Sequence, residues 1–319
     1  MTPLREIQNV AASVHQRLLN LARDQRVEFN LILQRYAVER FLYRLALSSE
    51  VDRFTLKGAV LLYVWTGQML RPTRDVDLGG ADVMDDAMIR LAMERICAVP
   101  YPDDGVMFDP ASMQIEDIRD EQGYGGVRVR LHGNLGRARL ALQVDIAFGD
   151  PITPQREAHD YPTLLDHAAP HLWTCPRDTV IAEKFEAMVR RGGGNSRVKD
   201  LWDVAFLSRR FAFDGSILRE AIVETFRRCR TVLAGERPEA LRPTYYDDST
   251  RAKRWEDFHR QLDPGLEGPG RLVDVGTNVR DFLGPVCDSI LHTEPFTSWW
   301  PAGGPWQSVR FRSEGNLDV

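Results

Sequence analysis

The sequence predicts an α+β protein: a mixed sheet with flanking helices, followed by a mainly helical C-terminal part. Three observations carry this. The first fifty residues keep helical periodicity. Between about residues 113 and 150, alternating segments follow one another through turn-rich links. After Pro154 the texture changes to charged, helical sequence. The expected division is residues 1–170 and 171–319, with the change falling between Pro154 and Pro176.

Composition sets outer bounds. With 319 residues, 43% hydrophobic and 27% charged, the chain can bury one or two ordinary cores. A net charge of −5 excludes a globally basic nucleic-acid binder and leaves room only for a local basic patch. No apolar run is long enough to span a bilayer, and MTPLREIQNV has no apolar signal core. Cys97, Cys175, Cys229 and Cys287 are far apart and form no CxxC pair. That argues against a zinc site or a disulfide framework and suits a reducing cytoplasm, which is the expected location.

In chain order, Val10, Val14, Leu18 and Leu21, then Val38, Phe41, Leu42 and Leu45, recur at helical spacing and predict two or three helices over residues 4–49. FTLKGAVLLYVW follows, a short approach to Gly58 and then a buried helix that Gly67 and Pro72 terminate. Residues 75–78 alternate and read as a short strand. Asp82 is the expected cap of a helix over 85–98, with Ile89, Met93 and Ile96 inward. MQIEDI, GVRVRLHG and RLALQVDIAFGD read as strands of an antiparallel or mixed sheet. DTVIAEKFEAMVRR predicts a helix capped by Asp178, with Ile181, Phe185, Met188 and Val189 on its apolar face. The link GGGNS joins it to a second helix over 198–207. Mostly helical sequence continues to about residue 291, and the tail WWPAGGPWQ is aromatic and turn-rich.

The chemistry starts in RPTRDVDLGG. In a strand, residues two apart face the same way, so Asp75 and Asp77 project together while Val76 and Leu78 point inward. Two close carboxylates raise each other's pKa unless a cation sits between them, and Mg²⁺ or Mn²⁺ suits such oxygen donors. Asp145 stands between Val144 and Ile146 in an otherwise apolar strand that a neighbouring position in the sheet would bring beside the pair. Three carboxylates around one or two metals recur in phosphoryl and nucleotidyl transfer. The plainer alternative is a turn with solvated aspartates and an edge residue. Lys57 and Gly58 open a predicted helix, where free N–H groups and a missing side chain would admit a phosphate; a helix start without a ligand is the simpler account of that piece taken alone.

The second half adds AEKFEAMVRRGGGNSRVKDLWDV. Lys184 and Arg197 are candidates to hold triphosphate oxygens, with Asp200 orienting one of them or facing the base or sugar. The alternative is an exposed helical hairpin with surface ion pairs, and that is the expectation for Arg190, Arg191 and Asp203. The GGG segment is not a P-loop, because no Lys-Ser or Lys-Thr follows at the required spacing. Arg209, Arg210, Arg227, Arg228 and Arg230 make this region locally positive, which suits either a nucleic-acid backbone or a solvated face.

In this order, KGAVLL, RPTRDVDL, LQVDIAFGD, AEKFEAM and RVKDLWDV resemble the AbiEii/AbiGii family of nucleotidyltransferase toxins, which includes the MenT toxins and falls within the DNA polymerase β-like superfamily. The pieces span residues 57–207. The resemblance implies a bilobed protein with a nucleotidyltransferase-like lobe. It implies Asp75 and Asp77 as metal ligands for Mg²⁺ or Mn²⁺, with Asp145 completing the set, Lys184 on the nucleotide phosphates and Asp200 as an essential second-lobe residue. Thr73 sits where the family has a small hydroxyl residue before the acidic pair. The implied partners are an NTP substrate, an RNA acceptor and an antitoxin encoded beside the toxin; no membrane is implied. Some members resembling this chain add nucleotides to the 3′ end of tRNA and stop translation. This sequence departs from the family in having Ala59 after Gly58, where Gly-Gly or Gly-Ser is common.

The leading expectation is therefore a metal-dependent nucleotidyltransferase acting on RNA. The alternatives are a non-catalytic protein of the same fold that binds a nucleotide or a partner, or NTP transfer to a protein hydroxyl. A PD-(D/E)xK nuclease fits worse, because Glu183 and Lys184 are adjacent, far downstream and on a helix. A protein kinase lacks its glycine loop and HRD segment.

Overall fold

A computed structural model describes residues 9–68, 70, 75–118, 126–192, 198–262 and 270–308. They fall into two compact units, one of residues 1–150 and 156–175, the other of residues 151–155 and 176–319.

The first unit begins with α1 (Val10–Asp24) and α2 (Phe29–Leu47). Asn9 caps α1 by accepting the Ala12 N–H at 2.9 Å. The apolar repeat noted in the sequence becomes a core in which Val14, Leu18 and Ala22 pack with Ile32, Leu33, Tyr36, Val106, Leu135 and Leu140. β1 (Phe54–Lys57) leads through Gly58 into the short helix α3 (Val60–Thr66). The sequence predicts only an approach here, with Lys57 at the helix start; Lys57 instead ends a strand, and Gly58 and Ala59 stand between it and α3. The four residues of β1 are all buried, so they lack the alternation that marks a half-buried strand.

β2 (Asp75–Gly80) is the predicted strand. α4 (Asp86–Cys97) buries Ile89, Met93 and Ile96 as expected. Its cap is Asp85, which accepts from Met88 N at 2.8 Å, not Asp82. The helix begins one residue later than expected, and only Asp85 lies at the capping position. β3 (Val106–Ile118), β4 (Gly126–Leu135) and β5 (Ala138–Phe148) form an antiparallel meander. β6 (Glu157–Asp160) and β7 (His171–Thr174) complete a seven-stranded sheet of order β3-β4-β5-β2-β1-β7-β6. β2 runs parallel to β5 and antiparallel to β1, which makes the sheet mixed.

The second unit holds α5 (Arg177–Arg191), α6 (Val198–Arg210), α7 (Gly215–Arg228), α8 (Ser249–His259) and α9 (Leu272–Leu291). A two-stranded ribbon joins β8 (Phe213–Asp214) to β9 (Trp299–Trp300). α5 starts after Pro176, so Asp178 lies inside its first turn, where a negative charge favours the helix dipole, and not at the cap. The core gathers Phe185, Trp202, Leu218, Ile222, Val279, Phe282 and Trp300. The aromatic tail has a structural use here: Trp300 donates its indole N–H to Ser208 O, and Trp306 donates to Phe282 O. Among the described residues, no helix is long and apolar enough to cross a membrane.

Candidate active site

The mixed sheet places the acidic residues by register. Asp77 of β2 stands opposite Asp145 of β5 and, on its other side, opposite Lys57 of β1. Asp145 in turn stands opposite Arg128 of β4, and Arg128 opposite Glu116 of β3. Partners in register share a face, so Glu116, Arg128, Asp145, Asp77 and Lys57 form one row across five strands. Asp75 lies on the same face, one step along β2, opposite Gln143. The intervening residues Val76, Leu78, Val144 and Ile146 are all buried on the other face. Asp75 and Asp77 are half-buried, which leaves them reachable.

Gly58 explains part of this arrangement. Its φ is +71°, and a Cβ built there would lie 1.8 Å from Asp77 Oδ2. The missing side chain therefore makes space for a carboxylate of the protein itself. Gly79 plays a milder part, with the Lys57 stem 3.0 Å from where its Cβ would be. Lys57 is buried along its length and pairs through Nζ with Asp150 at 2.8 Å.

Asp145 is held tightly. Arg128 forks onto it, with Nε to Oδ1 at 2.8 Å and Nη2 to Oδ2 at 2.6 Å, and Gln143 Nε2 donates to Oδ1 at 3.2 Å. The fork, helped by the charges of Asp145 and Asp75, pushes the Arg128 guanidinium further toward its protonated form. Arg128 and Asp150 are therefore members of this face that the sequence reading passed over. The alternation of GVRVRLHG did mark Arg128 as facing away from Val127 and Val129. Which strand it would face was not in the local pattern.

The donor chemistry of Asp75 and Asp77 fits a hard divalent cation: two half-exposed carboxylates on one strand face, with Gln143, Asp145 and Lys57, not Cys or His, opposite them in register. Among the described residues, no three His, Cys, Asp or Glu side chains are gathered into a ready-made metal cage. Asp145 is level with the pair, but both its oxygens are engaged by Arg128.

The second unit holds a separate cluster. Lys184 Nζ lies 3.1 Å from Asp200 Oδ1 and 2.6 Å from Asp203 Oδ2. The Lys184 side chain is 16% exposed and those of Asp200 and Asp203 are 7% and 1% exposed, so this is an interior ion cluster. Asp203 thus departs from the expected surface residue. It shares a face of α6 with Asp200 at i, i+3, and that shared face turns inward. Arg190 pairs with Glu186 at 3.1 Å along α5, and Arg191 is exposed. Thr73, Arg197 and most of the glycine link lie outside the described residues.

The sequence profile of the nucleotidyl transferase AbiEii toxin, from type IV toxin–antitoxin systems, matches residues 40–277, most of the chain. The chain belongs to this AbiEii family. The match takes in the acidic face, the Lys184 cluster and every motif quoted for the resemblance. Among solved structures, one described as a candidate nucleotidyltransferase from H. pylori is 14% identical, with a TM-score of 0.47, covering 84% of this chain and 99% of its own. JHP933 from Helicobacter pylori is also 14% identical, with a TM-score of 0.42, covering 83% of this chain and 95% of its own. No curated protein matches the chain.

Proposed function

We propose that this AbiEii-family toxin is a divalent-metal-dependent enzyme that transfers a nucleotide from an NTP to RNA, with the 3′ end of tRNA as the acceptor and a block of translation as the result. The observation that carries the reading is the register of β2 against β5, which sets Asp75, Asp77 and Asp145 on one open face.

Asp75 and Asp77 would hold Mg²⁺ or Mn²⁺. Such an ion, when bound, neutralises charge on the nucleotide phosphates and on the attacking hydroxyl. Asp145 completes the acidic set at the level of Asp77. Gly58 serves the site by giving the Asp77 carboxylate its place, which makes the missing glycine or serine at Ala59 less consequential. Lys57, next to Asp77 in register, supplies positive charge beside the pair, with Thr73 and Arg197 as further nucleotide contacts. Lys184 binds nucleotide phosphate, and Asp200 and Asp203 fix its ammonium in one position beforehand. A cytoplasmic antitoxin partner follows from the family's two-gene systems.

The test is incubation of the pure protein with Mg²⁺, total tRNA and each radiolabelled NTP in turn, beside Asp75→Ala. Label on tRNA with the wild type alone is the expected result. Equal labelling by Asp75→Ala would overturn the metal role of the pair. Label on protein and none on tRNA would transfer the reading to a protein hydroxyl as acceptor.

A further inference from the structure

The row of charges across the sheet contains one cation that no motif accounts for. Arg128 lies on β4, outside every segment that carries the family resemblance, and yet it is the closest described partner of Asp145. Its side chain is about one-third exposed, at 32%, and that of Asp145 is 18% exposed, so the fork sits at the surface of the acidic face. A two-point guanidinium–carboxylate pair is directional and uses both oxygens of the acid. The geometry around it is braced. Gln143 donates to Asp145 Oδ1, and Arg130, next along β4 on the same face, reaches Glu116 at 2.6 Å and Gln143 at 3.4 Å.

We infer that Arg128 is a positioning residue that competes with the metal for Asp145. With the fork closed, only Asp75 and Asp77 would be left to hold an ion; Asp145 would become available to it when the Arg128 fork opens. The inference rests on the metal reading given above, and it adds a device that sets how strongly the pair alone holds an ion. Arg128 weakens binding in two ways: it withholds one carboxylate, and it places a positive charge beside the other two.

The measurement is Mn²⁺ affinity of the full chain by electron paramagnetic resonance of the free ion, which needs no turnover. Wild type is compared with Arg128→Gln, Arg128→Lys, Asp75→Asn and the double variant Arg128→Gln/Asp145→Asn, with circular dichroism checking the fold of each. Arg128→Gln is expected to bind Mn²⁺ roughly three- to tenfold more tightly, because a carboxylate is released and a cation removed. Arg128→Lys keeps the charge but not the fork and is expected to fall between. The double variant is expected to lose the gain, since the released ligand is gone. Unchanged or weaker binding in both Arg128 variants would overturn the inference. If Asp75→Asn abolishes binding while both Arg128 variants match the wild type, only the role of Arg128 fails. If neither wild type nor Arg128→Gln binds Mn²⁺, the metal reading and the inference fall together.

Discussion

The two units treat their carboxylates in opposite ways. On the sheet, Asp75 and Asp77 sit two apart on a strand, half exposed, with Gln143 and Asp145 opposite them on β5 and Lys57 opposite Asp77 on β1. In the helical unit, Asp200 and Asp203 are buried and both meet the ammonium of Lys184. An open acidic pair keeps its affinity for an incoming cation because water still solvates it. A buried pair must carry its counter-ion with it, because an unpaired interior charge costs several kcal/mol. The difference teaches that similar residues can sit in two environments: the sheet carboxylates stay reachable from solvent, and the helical ones are closed around a lysine.

The contrast breaks first, and most visibly, at the sheet. Asp75→Ala or Asp77→Ala should cut nucleotide transfer well over ~100-fold, beyond the usual loss from a supporting partner of a metal ligand. Thermal stability should stay within a few degrees, since neither side chain is buried. A large drop in melting temperature would mean that the pair is structural. At the helical cluster the order reverses. Lys184→Met leaves two buried carboxylates side by side and should cost about 3–5 kcal/mol in urea unfolding. Asp203→Asn, which leaves Lys184 with Asp200, should cost clearly less. A Lys184→Met protein as stable as wild type would show that the interior cluster does not depend on the Lys184 ammonium.

Much of this was legible beforehand. The period-two pattern of DVDL and QVDI fixed which way Asp75, Asp77 and Asp145 face, because apolar residues on either side had to go inward. What local pattern does not encode is pairing across distance. That Asp145 lies level with Asp77 depends on β5 docking parallel to β2, with β4 arriving on its far side carrying Arg128. β1 escaped notice for a related reason: a central strand buried on both faces shows no alternation. Asp203 departs from its expected surface position because i, i+3 spacing says which residues share a face of α6 but not which neighbour covers that face.

A subtler probe of the open face is Gly58→Ala. The left-handed φ of +71° alone costs roughly 1–2 kcal/mol for a residue with a side chain. The new methyl must also displace the Asp77 carboxylate, which lies 1.8 Å from the ideal Cβ position. Stability should fall by about that strain, whereas Mn²⁺ affinity and transfer should fall much further, because the damage is aimed at Asp77. Equal, modest losses in all three would mean that Asp77 has room to move without consequence.

A pH series tests whether burial, and not the choice of unit, makes the difference. Glu39 of α2 belongs to the same unit as the open pair, yet it is fully buried. It accepts from Leu164 N at 2.6 Å and pairs with Arg40 at 2.7 Å. Burial nevertheless pushes its carboxyl up from 4.5 to about 7, against the pull of Arg40 and of its hydrogen bonds. Between those two values the folded chain keeps a proton that the unfolded chain releases, so stability must fall as pH rises through that window and level off above about 7. The loss is about 3 kcal/mol at most, from the size of the shift. Urea unfolding at pH 5 and pH 8 should show the decline in wild type and a reduced one in Glu39→Gln, which has no proton to lose. If the two proteins kept the same pH slope, Glu39 would be ionised throughout. Its pairing with Arg40 would then fully offset burial.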